Sequence, residues 1–118
     1  MYVATFQVSS DGELALLRID LSEDGLVATY QLQNALGDCH NWRVSMAQDE
    51  TSKTYRERAA YALCAYLFDC SSNGWNGDIR LVQSGIGIPD DYWDVVKDKF
   101  MGVLALSRMT RPEGAPLQ

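Results

Sequence analysis

The chain has 118 residues, 47% of them apolar, which suits one domain with its own core and excludes wholesale disorder. Sixteen acids against ten bases leave a net charge of −6, a poor balance for gripping phosphates or docking on an anionic membrane. No apolar run reaches the ~18–20 residues of a membrane span, and the first residues lack the basic start of a signal peptide, so a cytoplasmic location is expected.

The first half of the chain reads as strands. In YVATFQV, Tyr2, Ala4, Phe6 and Val8 alternate with Val3, Thr5 and Gln7. ELALLRIDL places Ala15, Leu17, Ile19 and Leu21 on one side, and LVATYQLQ places Leu26, Ala28, Tyr30 and Leu32. Period two with one apolar face predicts antiparallel strands packed on a single side. The intervening turns SSDG and SEDG both end in Asp-Gly, a hairpin signal because glycine accepts positive φ without steric cost. NALGDCHN reads as a longer connection to a fourth strand, NWRVSMA, with Trp42, Val44 and Met46 on one face.

Thr54 and Glu57 then form a T-x-x-E capping box, which predicts a helix start. That helix carries a small-residue face of Ala59, Ala60, Leu63, Cys64 and Leu67. SSNGWNGD reads as a loop, IRLVQ as a short fifth strand and SGIGIP as a second loop. Pro89 suits the first turn of a final helix whose core face is Trp93, Val96, Phe100, Val103 and Leu104. The expected fold is α+β: an antiparallel meander of four to five strands with two helices on one face. A single domain is expected over residues 1–110, and the segment 111–118, with two prolines and a glycine, reads as a flexible tail.

No pattern for a cofactor or a metal stands out. There is no phosphate loop, dinucleotide fingerprint, nucleophile elbow or H-E-x-x-H. Three cysteines, Cys39, Cys64 and Cys70, are too few and too irregularly spaced for a disulfide framework or a zinc site, and reduced thiols are expected. His40 is the sole histidine, and adjacent residues of an extended chain point apart, so Cys39 and His40 make a poor catalytic dyad. An enzyme is therefore not expected.

The final helix carries the clearest candidate surface. Asp90, Asp94 and Asp98 recur every four residues, with Asp91 beside the first. The helix dipole favours acids in a first turn, but Asp98 lies beyond its reach. One turn apart, about 6 Å, the three carboxylates also approximate the spacing of phosphates along a strand. Trp75, between glycines in GWNG, is a candidate aromatic anchor. Together these residues predict a non-enzymatic acidic protein that binds and inhibits a basic protein target. Immunity proteins, and phage inhibitors that mimic nucleic acid against a host nuclease or defence complex, work on this logic. Direct nucleic-acid binding is not expected. Two alternatives come from other features. Val95, Gly102 and Leu106 widen the apolar arc of the last helix, as in a homodimeric chaperone or accessory subunit. A pocket between sheet and helices would make a small-ligand-binding domain.

Overall fold

A computed structural model describes residues 1–10, 12–45, 54–72 and 78–110, with 101–110 traced as helix backbone only. Five strands and two helices follow in the order β1 (Tyr2–Ser10), β2 (Glu13–Leu21), β3 (Val27–Asn34), β4 (Cys39–Ser45), α1 (Tyr55–Ser72), β5 (Asp78–Ser84) and α2 (Asp90–Thr110). The fold is α+β, with both helices against one face of an antiparallel sheet of order β4-β3-β2-β1-β5. The meander thus stops at four strands. The fifth does not extend it: after α1 the chain returns to the opposite edge and pairs β5 with β1. Met46 and Ala47, assigned above to the fourth strand, and the tail 111–118 lie outside the described residues.

The hairpins form where the chain supplies local hydrogen bonds. In the turn after β2 the Gly25 amide donates to the Ser22 carbonyl at 2.9 Å, and the Leu26 amide donates to the Asp24 carboxylate at 3.0 Å. Gly25 adopts φ 73°, the left-handed conformation that an L side chain resists. The connection after β3 is shorter than its sequence suggests. The Asn34 side-chain oxygen accepts from the amides of Leu36 and Asp38, each at 3.0 Å, and mimics a turn of backbone. Strand β4 consequently begins at Cys39, two residues before the expected start, and His40 lies within it.

The inward face carries Ala4, Phe6 and Val8 from β1, Leu17, Ile19 and Leu21 from β2, Ala28 and Tyr30 from β3, and Ile79 from β5, all buried. Strict alternation fails at the start of β1. A register shift between Tyr2 and Ala4 buries Val3 and Ala4 together. Tyr2, expected inward, instead lies on the outer face, where the Arg18 guanidinium sits 4.8 Å from its ring. An extra residue in one strand of a pair produces such a change of phase. Leu14 and Leu16, on the outer side of β2, are about half exposed.

The two helices close this face by different means. At the start of α1 the capping box is reciprocal: the Thr54 amide donates to the Glu57 carboxylate at 2.9 Å, and the Glu57 amide donates to the Thr54 hydroxyl at 3.2 Å. Ala59, Ala62, Leu63, Tyr66 and Leu67 are buried, and the alanines let the helix lie close to the sheet. The Tyr30 hydroxyl donates to the Ala62 carbonyl at 2.7 Å and fixes the helix over β3. Helix α2 is anchored by Trp93, which meets Phe6 edge-on with ring centroids 5.3 Å apart. The Trp93 indole donates to the Ser84 hydroxyl at 2.8 Å, which donates in turn to the Ile88 carbonyl at 2.7 Å. One partly buried polar chain therefore joins α2, β5 and the loop between them.

That loop approaches β1 so closely that a side chain has no room. A Cβ at Gly85 would stand 2.5 Å from the Tyr2 carbonyl oxygen and 2.7 Å from that of Val3, both backbone atoms. At Gly37, with φ 89°, a Cβ would meet nothing within 4 Å. Gly37→Ala should therefore cost only left-handed strain, roughly 1–2 kcal/mol. Gly85→Ala has to push two strands apart and should lower the urea midpoint further; equal midpoints in urea denaturation would contradict this packing.

Candidate functional site

Two surfaces compete as sites. The first is the acidic stripe of α2. At about 100° per residue, Trp93, Val96 and Phe100 point toward the sheet, Asp91 and Asp98 point away from it, and Asp94 lies on the flank beside β5. Asp90, Asp91, Asp94 and Asp98 are all exposed, and none is ion-paired among the described residues. Lys97 and Lys99 flank Asp98 in sequence; Lys97 donates to the Ile79 carbonyl at 3.1 Å, and Lys99 is exposed. The structure thus brings four of the predicted residues together on one solvent-facing side. Trp75, the fifth, lies outside the described residues. Of the apolar positions proposed for a homodimer, Val95 is half exposed, while the burial of Gly102 and Leu106 lies outside the description.

The second surface is a cleft of about 520 Å³ between the β3–β4 hairpin, α1 and the middle of α2. Its floor is aromatic. Sheet register places Tyr30 directly opposite Trp42, and their rings stack at 5.2 Å with planes 10° apart. Tyr66 of α1 lies 6.3 Å from Tyr30 and 6.2 Å from Trp42, again near parallel. His40 continues the array outward, 5.2 Å from Trp42. The walls come from Tyr61, Phe68 and Phe100, the first two exposed. Among the described lining residues Asp69 is the only charged one. Sequence periodicity assigned Tyr30 and Trp42 to the inward face, but their stacking depends on the hairpin register, and Tyr66, Tyr61 and Phe68 did not stand out.

The electrostatics of the cleft follow from burial. Desolvation pushes the Tyr30 phenol well above the ordinary tyrosine range, and Tyr66 behaves likewise, helped by its hydrogen bond with Cys70. The Cys64 and Cys70 thiols are also raised by burial. Cys39 differs: it is exposed on β4, with its sulfur 3.7 Å from the Gln31 amide nitrogen on the outer face. His40 contacts Trp42 on the inner face, so the two neighbours do point apart. Among the described residues no group of three His, Cys, Asp or Glu side chains could hold a metal ion, and no helix is long and apolar enough to cross a membrane. No protein-family model, curated protein or solved structure matches the chain.

Two measurements check this description. Tyrosines whose folded pKa is raised bind their protons more tightly folded than unfolded. Their stabilisation is complete below about pH 10 and is lost as pH climbs above it, by up to about 1.4 kcal/mol per pH unit for each group. Urea midpoints should fall between pH 9 and 11, on the scale set by tyrosine titration, and Tyr30→Phe combined with Tyr66→Phe should flatten that slope. In the native protein a thiol reagent at neutral pH should modify Cys39 quickly and Cys64 and Cys70 slowly, with mass mapping to assign the sites.

Proposed function

We propose that the chain is a non-enzymatic binding protein whose α2 carboxylates engage a basic protein target. The observation that carries this reading is the orientation of Asp90, Asp91, Asp94 and Asp98: all four face solvent with no basic side chain paired to them among the described residues. Carboxylates neutralised within the chain would offer a partner little. Unpaired ones extend a negative potential outward, speed encounter with a positively charged surface and disfavour partners of like charge.

Basic surfaces of that kind occur on proteins that bind nucleic acid, and carboxylates one helical turn apart can stand in for backbone phosphates. The reading therefore extends to inhibition: a nuclease or nucleic-acid-binding complex whose groove is covered by α2 loses access to its substrate. Burial of α2's first two turns against the sheet supports such a role, since Trp93 and Val96 hold the acidic face as a rigid platform.

The double variant Asp94→Lys and Asp98→Lys tests the proposal. Both residues are exposed, so the fold should survive. Association with an isolated basic target at low salt should slow on the order of tenfold or more, and the difference should shrink as salt rises. Surface plasmon resonance across a salt series reads both effects. Unchanged association at low salt would remove α2 from the interface.

A further inference from the structure

The aromatic cleft is a different kind of surface from the stripe on α2, and none of the four α2 carboxylates lines it. Its composition is selective. Among the described residues six rings, those of Tyr30, Trp42, Tyr61, Tyr66, Phe68 and Phe100, supply the lining together with small apolar groups, and no described lysine, arginine or histidine lines it. A plain hydrophobic pocket of this size would be expected to mix aliphatic and aromatic side chains. Here Val44 is the one branched aliphatic residue among the described lining. Aromatic faces carry negative potential, and an organic cation placed over them is attracted without having to give up a tight hydration shell, as a metal ion would. Asp69, at the α1 wall, adds a carboxylate of matching sign. An anion would meet the opposite on every count: ring faces, a carboxylate, and a chain of net charge −6.

We propose that this cleft binds an organic cation, an alkylammonium or guanidinium group, held over the rings of Trp42 and Tyr61 with Asp69 as its counter-charge. The volume of about 520 Å³ admits a small ligand or the end of a long basic side chain. The same chemistry could therefore arrive as a free quaternary amine or as a residue of a protein, and the test separates these sources.

The probes are choline, its uncharged carbon isostere 3,3-dimethyl-1-butanol, and N-acetyl-arginine amide, each titrated into the full chain at matched ionic strength with potassium chloride as the salt control. The Trp42 indole resonance, assigned by its loss in Trp42→Phe, reports binding. Choline should bind about fivefold to thirtyfold more tightly than the isostere, the scale of a desolvated contact between cation and ring. A preference for choline over the arginine amide assigns the cleft to a free amine. The reverse preference assigns it to a side chain of a partner. Tyr61→Leu, at a half-exposed position, and Asp69→Asn should each weaken choline severalfold while leaving the urea midpoint close to that of the parent. Equal binding of choline and its isostere, or no response of Trp42 to either cation, overturns the proposal. So does choline affinity that is indifferent to both substitutions. Asp94→Lys with Asp98→Lys should leave the ratio of choline to isostere unchanged, so this result and the test of the α2 surface stand or fall separately.

Discussion

The structure depends on the covering of one sheet face. Five strands present their apolar side chains to the same side, and two helices exclude water from it. Helix α1 starts beside β1, where the Tyr55 hydroxyl donates to the Tyr2 carbonyl at 3.2 Å, and brings Tyr66 against the rings of β3 and β4, while β5 joins the opposite edge at β1. The coverage is uneven. Residues of β1, β2 and β3 reach full burial, whereas no residue of β4 does. The ring cleft lies at that thinly covered flank. The acidic stripe is the other by-product: α2 commits one side to the core through Trp93 and Val96, and its remaining side is free to carry charge.

Helix placement relies on side-chain donors that reach backbone carbonyls elsewhere in the chain. Tyr30 holds α1, Arg56 donates to the Gly87 carbonyl at 3.0 Å, Tyr92 donates to the Arg56 carbonyl at 3.0 Å, and Lys97 holds β5. A backbone carbonyl has two lone pairs, so even a helical one can accept a second hydrogen bond, and a long side chain can supply it while its stem packs on apolar surface. The consequence for recognition is that Lys97, so employed, forms no ion pair with its acidic neighbours.

Much of this was legible in the sequence because the signals were local. Asp-Gly turns, alternation in β2 and β3, and the Thr54–Glu57 box each specify structure within a few residues, and Trp93, Val96 and Phe100 on α2's core face follow from its period, while the side chains of Val103 and Leu104 lie outside the description. What escaped depends on pairings between distant segments. The phase change that buries Val3 is a property of how β1 meets its neighbour, and the position of β5 beside β1 is a pairing between segments far apart in the chain. The stacked rings are an intermediate case. Tyr30 and Trp42 were both assigned inward, but only the Asn34 turn, which sets the β3–β4 register, makes them partners. The acidic residues were legible as a stripe; that nothing described pairs with them was not, because it required the path of Lys97.

The two sheet margins differ in one further respect. Along β5 the pairing with β1 slips between Thr5 and Phe6, leaving Val82 as a surplus residue, and Asp78 and Arg80 dress the strand with opposite charges. Along β4 the register with β3 runs unbroken for seven pairs. A foreign strand seeking to prolong the ladder would find a kinked, charged template at the first margin and a straight one at the second. Any growth of this sheet by strand addition would therefore be one-directional, terminated at β5 and able to proceed only from the β4 side.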